Sequence, residues 1–211
     1  MARNLAPRTT TTIPKPRLEI KQIVDDIPLG TSNNNSSVSP FGLVAEGSNP
    51  DQRNGRAIKH IEFDIAYTLE SSSSAQWTNT RVVYGIYKQA FGVALSTSTI
   101  FDLRGGPGNI RSAYNFQNSS NLVILGDRIH NLRPSTSAGT LTGGTGTIQP
   151  VTVEEVYRFP NIKFEKIQEY ISTGASDVSQ WCHFIAVIAG DNSGGSTSVC
   201  NVTTVCRYVD V

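Results

Sequence analysis

Three histidines, three cysteines and two pairs of adjacent carboxylates are the residues of this 211-residue chain with the chemistry to catalyse or to bind a metal. His60, His130 and His183 are scattered along the chain. A strand-borne metal site would need two of them within a few residues, with a carboxylate close by. Asp25-Asp26 and Glu154-Glu155 are sequence neighbours, so on strands their side chains point to opposite faces and cannot share a proton. The same alternation separates Cys182 from His183 and argues against a nucleophile and base dyad. Cys182, Cys200 and Cys206 form no CxxC pair, and an odd number leaves at least one thiol free. The glycine-rich stretches "RGGPG" and "LTGGTGT" are not followed by Gly-Lys-Ser/Thr, so they read as loops and not as phosphate cradles. No serine sits in a GxSxG setting. The residues predict no catalytic site, no metal and no cofactor.

The basic residues are distributed unevenly. Residues 1 to 21 contain Arg3, Arg8, Lys15, Arg17 and Lys21 against Glu19 alone, while the rest of the chain holds 13 basic and 16 acidic residues. A basic arm ahead of a slightly acidic body suits contact with a polyanion. The arm sequence "MARNLAPRTTTTIPKPR" carries too little apolar surface to offset the entropy of ordering it. We therefore read residues 1–21 as a flexible arm and 22–211 as one domain.

Elements that would position these residues are mostly strands. In "KHIEFDIAYTLE", Ile61, Phe63, Ile65, Tyr67 and Leu69 alternate with Glu62, Asp64, Ala66 and Thr68, which is the period of a strand with one wet face. "TRVVYGIYKQA" is rich in β-branched and aromatic residues, and "NLVILGDRIHNLRP" reads as one or two strands with a break at Gly126-Asp127. "RLEIKQIVDDI" is open between a short strand and a helical turn, and "GTSNNNSSVSP" reads as a loop. "STSTIFDLRGGPG" predicts one short helix. Pro160 divides "VEEVYRFPNIKFEKIQEY" into two short strands, and "SAGTLTGGTGTIQP" is an exposed connection. "WCHFIAVIAG" and "SVCNVTTVCRYVDV" read as buried strands.

Composition agrees, since charged residues make up only 17% and Ser, Thr, Asn and Gly supply much of the polarity. The longest apolar runs are too short for a membrane helix. No signal-peptide core precedes the body, so the expectation is a soluble chain that inserts into no membrane. Seven or eight strands joined by long excursions predict an all-β fold, an eight-stranded jelly-roll (Greek-key) sandwich with at most one or two short helices. Trp77, Trp181 and the seven tyrosines could stack on sugars, which keeps a non-viral jelly-roll carbohydrate-binding module as an alternative; aromatics in such segments more often fill the core.

Taken in order, the segments resemble the coat proteins of single-jelly-roll viruses, including satellite tobacco necrosis virus and the small circular Rep-encoding single-stranded DNA viruses. "DQRNGRAIKHIEFDI" is similar to that group's Gln-Arg-x-Gly entry to a sheet strand, and "TRVVYGIYKQAFG" to the strand after it. "STSTIFD" resembles the short helix that follows. "SAYNFQNSSNLVILGDRIHNL" resembles a Tyr-Asn segment leading into a strand with an aspartate step at Asp127. "WCHFIAVIAGD" and "VTTVCRYVDV" resemble the last two strands. The resemblance spans residues 51–211 and implies a virion structural protein. About sixty copies would close into a small icosahedral shell around single-stranded DNA or RNA, after a period in the host cytoplasm or nucleus. It also implies that Arg3, Arg8, Lys15, Arg17 and Lys21 point inward and neutralise phosphates without reading sequence. Many relatives carry a denser basic arm that doubles as a nuclear-entry signal; here the basics are isolated among Thr and Pro. Calcium between subunits, known in part of the family, has no carboxylate cluster to which we can assign it.

Overall fold

Alternation sets the strands, and the strands set everything else. In the computed structural model, which describes residues 19–32, 36–71, 78–88, 95–103, 110–132, 135–136, 148–149, 152–159, 167–174, 178–189 and 197–211, eleven strands account for most of the described backbone. They are β1 (Lys21–Ser32), β2 (Ser36–Phe41), β3 (Ala57–Ser71), β4 (Thr78–Tyr87), β5 (Leu122–Leu132), β6 (Ser135–Thr136), β7 (Ile148–Gln149), β8 (Thr152–Phe159), β9 (Gln168–Glu169), β10 (Cys182–Ala189) and β11 (Thr197–Asp210). One helical turn, α1 (Thr97–Ile100), and a 3-10 turn over Phe116–Asn121 complete the described elements.

Two antiparallel sheets face each other, one in the order β1-β11-β3-β8 and the other in the order β2-β10-β4-β5. Apart from the β4–β5 pair, each of these eight strands lies in the opposite sheet from its predecessor. This is the jelly-roll wrapping expected from the sequence. The short strand β9 adds to the start of β3, and β6 and β7 form a separate two-stranded ribbon.

Phe63, Ile65, Tyr67 and Leu69 of β3 point into the space between the sheets, opposite Val82 and Tyr84 of β4 and Ile185 and Val187 of β10. The continuous apolar run of β10 has a second use: Phe184, Ala186 and Ile188 face the other way and are covered by Leu95, Ile100 and Phe101 of the α1 segment. A strand buried on both faces needs no alternation, which explains "FIAVIA".

Several expectations change on the structure. Ile61 lies at a bulge: Arg207 pairs with Glu62 while Tyr208 pairs with His60, so Ile61 is the extra residue and is only half-buried. The bulge reverses the strand's phase, and it is Ile58 and His60 that are buried on its near side. The "RLEIKQIVDDI" segment is strand from Lys21 onward, and the Ser/Asn-rich stretch read as a loop contains the end of β1 and all of β2 but its last residue, Phe41. Both are edge strands, where Pro28 and Pro40 are tolerated. The expected break at Gly126-Asp127 is a second bulge, at Leu125, inside an unbroken β5. Gly126 is required there because the Tyr84 ring crosses the place a Cβ would occupy. The expected connection over 136–149 is bounded by the β6–β7 ribbon, and its residues 137–147 lie outside the described residues.

Candidate functional site

Arg3, Arg8, Lys15 and Arg17 lie outside the described residues. Lys21 does not behave as part of an arm. It is the first residue of β1, paired in register with Tyr208, and is only 6% exposed. Its ammonium donates to the Gln52 carbonyl at 2.7 Å and meets Asp210 Oδ2 at 2.8 Å. A buried ammonium is stable only with such partners, so the charge of Lys21 is taken up within the domain and is not available to phosphate. That corrects the expectation for this residue and places the root of the arm at the end of the sheet where β1 begins and β11 ends.

Gln52 belongs to the Gln-Arg-x-Gly turn, and Arg53 shows what the turn does. Its side chain is fully buried. Nε donates to the Val44 carbonyl at 3.0 Å, Nη2 to the Ser172 carbonyl at 2.5 Å, and Nη1 to Glu46 Oε2 at 3.1 Å and to the Gly55 carbonyl. The guanidinium lies 4.1 Å from the centre of the Tyr170 ring. The Tyr170 oxygen in turn accepts from the Val44 N–H at 2.9 Å, and burial holds that phenol well above its usual range. The neighbouring stretches around residues 44 and 53 are tied to the distant one around 171 by a single side chain, whose set of donors no residue but Arg supplies. The motif is architectural.

Arg81 organises the outer face of the second sheet in the same way. From β4 it grips Asp127 of β5 through both carboxylate oxygens, at 2.8 and 2.6 Å, and its Nη1 donates to the Ile110 and Ser112 carbonyls. Tyr114 donates its hydroxyl to Asp127 Oδ2 at 2.5 Å. The Phe101 and Tyr114 rings stack 5.7 Å apart beneath the guanidinium. Hydrogen bonds from Arg81 hold the Asp127 carboxyl below its usual range, and burial pushes the Tyr114 phenol up. The "AYN" and "GD" stretches of the sequence thus meet in one network.

Histidine spacing misleads in the opposite sense. His60 and His183, 123 positions apart, bring their rings to 4.6 Å, edge to face, between the sheets. His130 receives Tyr67 at 2.8 Å. Among the described residues no group of three His, Cys, Asp or Glu side chains could hold a metal ion. Asp25 turns inward to accept the Gly42 N–H at 2.8 Å, whereas Asp26 turns outward to accept Thr203, as alternation requires. Cys182, Cys200 and Cys206 are free and buried, and burial pushes their thiols up, Cys200 and Cys206 to about 12. They are packing residues, not nucleophiles. Five tyrosines, Tyr67, Tyr84, Tyr87, Tyr170 and Tyr208, are buried in the domain. The side chains of Trp77, Tyr157, Glu154 and Glu155 lie outside the described residues.

The described histidines and cysteines are thus packed within the fold. Ile20, Ile167, Ile171 and Val211 are exposed large aliphatics. All four lie at one end of the first sheet, where β1 begins, β11 ends and β9 adds to β3. Val24, Ile129 and Phe116 are exposed elsewhere, Phe116 at 88%. Among the described residues these four are the exposed large aliphatics at that end.

No family model matches the chain, and no curated protein is similar to it in sequence. Solved structures to which it is similar include the BFDV (beak and feather disease virus) capsid protein in a 60-mer, with a TM-score of 0.36 and 10% identity over 92% of this chain and 94% of that one. The structure of the Gx strain of infectious bursal disease virus gives a TM-score of 0.23 and 12% identity over 93% of this chain. The VP2 subviral particle of the same virus gives 0.23 and 10% over 93%. The chain spans 37% and 38% of those two longer chains.

Proposed function

We propose that this chain is a viral capsid protein that self-assembles, in about sixty copies, into a small icosahedral shell around single-stranded nucleic acid. The observation that carries the reading is the exposed aliphatic end of the jelly roll, Ile20, Ile167, Ile171 and Val211, on a domain whose buried polar groups serve architecture. Repeated copies of one domain close into a shell through self-complementary contacts of this kind. The order of sequence segments shared with single-jelly-roll coat proteins supports the same reading, and the protein's place is then the virion.

Nucleic-acid contact falls to Arg3, Arg8, Lys15 and Arg17. Their charges would act on phosphates, weakly in each copy and strongly when repeated across a shell. Lys21 anchors the arm. The carbohydrate-binding alternative is not preferred, because the tyrosines that would form a stacking platform are mostly buried.

The nucleic-acid part is tested by purifying nuclease-treated particles of the full chain and of a chain lacking residues 1–18, and comparing their absorbance at 260 and 280 nm. The reading expects a raised ratio in the full chain and a protein-like ratio in the truncated one. Equal ratios would remove the arm from packaging.

A further inference from the structure

All three histidines of the chain lie between the two sheets, and they do so in two chemically different ways. Toward one end, Tyr67 of β3 meets Nε2 of His130 of β5 at 2.8 Å. Hydroxyl and imidazole can exchange donor and acceptor roles, so this contact survives protonation of the ring. Toward the other end, His60 of β3 and His183 of β10 pack edge to face at 4.6 Å and 87°, each only 3% exposed. Phe63 and Phe41 flank His183 at 5.1 and 5.6 Å. Nε2 of His60 meets Gln168 Oε1 at 2.6 Å, and Nδ1 has no hydrogen-bond partner among the described residues. A second proton on His60 would make Nδ1 a buried donor with no acceptor among the described residues, against the His183 ring.

We propose that His60 and His183 form an acid-sensitive clasp between the two sheets, and that protonation of either ring loosens the end of the sandwich where β2, β3 and β10 meet. This goes beyond the capsid reading and does not depend on it.

Electrostatics point the same way. Burial holds His60 down to about 4, against a smaller upward pull from Gln168. Burial and then the neighbouring His60 hold His183 well below the usual imidazole range. The other titratable groups around the pair are Asp25 of β1, Cys182 of β10, and Cys206 and Tyr208 of β11. Lys59 on β3 and Glu169 on β9 are exposed. Burial pushes the two thiols and the phenol up, so they stay neutral in mild acid. Asp25 works in the opposite direction: its carboxyl is raised by burial, so the folded chain takes up that proton more readily than the unfolded one.

The histidines are harder to protonate folded than unfolded. Their stabilisation is therefore complete above the unfolded value near 6.5 and is lost as pH falls from there toward 4. From pH 7 to pH 5, a ring held down to about 4 raises the unfolding constant about 20-fold, and His183 adds to this in the same direction.

The test is urea unfolding of the full chain at pH 7, 6 and 5, for wild type, the double variant His60→Gln/His183→Phe and the control His130→Gln. The variants share Asp25 and the other carboxylates, so differences isolate the histidines. Wild type and His130→Gln are expected to lose stability by at least that factor, and the double variant to lose the histidine part of the pH dependence. Equal pH dependence in wild type and double variant would overturn the proposal. Should the double variant not fold, hydrogen–deuterium exchange at the histidine C2 positions of the wild-type chain, read by mass spectrometry, replaces it. His60 and His183 are expected to remain neutral at pH 5, and titration of both near 6.5 would overturn the clasp.

Discussion

The guanidinium of Arg53 lies 4.1 Å above the ring of Tyr170, so a residue of the turn before β3 is stacked on one that follows β9. Around that contact every carbonyl Arg53 reaches belongs to a loop segment and not to a ladder. Arg53 thus ties together the loops at this end of the sandwich.

Replacing Arg53 should therefore cost more than a surface charge would. Arg53→Met leaves the Val44, Gly55 and Ser172 carbonyls and the Glu46 carboxylate without their donor, and a loss of about 3–5 kcal/mol is expected. Arg53→Lys should recover only a small part, because an ammonium cannot span the same acceptors or stack on Tyr170. Urea denaturation at neutral pH measures both.

Asp127 makes a second prediction with a defined pH window. Its carboxyl is held below the usual range by Arg81, so the stabilisation it provides is present above the unfolded value near 4 and is lost as pH falls through the folded one. Asp127→Asn should lower stability at pH 7 by about 1–2 kcal/mol, a figure reduced for the partial exposure of the pair, and should flatten the acid limb below pH 4. Tyr114→Phe should cost about 1 kcal/mol with the limb retained. Thermal unfolding across pH 3 to 7 separates the two.

Strand phase and connectivity were legible in the sequence to the extent that they rest on local patterns. Phe63, Ile65, Tyr67 and Leu69 announce β3, and the double-sided apolar run announces β10. β2 was not legible, because Ser36 to Pro40 lie on an edge strand where half-buried Ser and Pro are tolerated and composition resembles a loop. The bulge at Ile61 was hidden because Ile fits either face of a strand. Lys21 looked like one more basic residue of the arm, since the partner that fixes it, Asp210, is at the far end of the chain. The meeting of His60 with His183 depends on how the two sheets face each other, and no spacing rule encodes that.

Gly42 follows β2 with a φ of +67°, and a Cβ there would sit 3.0 Å from Cys206 Sγ. Gly42→Ala combines a left-handed backbone with a tight contact to a packed thiol, and a loss of about 1–2 kcal/mol is expected. The urea midpoint checks it.

Cys182, Cys200 and Cys206 are buried thiols held protonated by burial. A thiol-disulfide reagent such as DTNB at pH 8 should label none of them within minutes on the native chain and all three after guanidinium unfolding. Rapid native labelling of any one would show that the core opens locally at that strand.

The most direct test of the central claim is sedimentation velocity and negative-stain microscopy of the purified, nuclease-treated chain, beside the double variant Ile167→Asp/Ile171→Asp. The account predicts uniform closed particles for the wild type, and a folded domain that stays small for the variant, because charge on the aliphatic end opposes burial between copies. A wild-type chain that remains a monomer or dimer across salt and pH would contradict it.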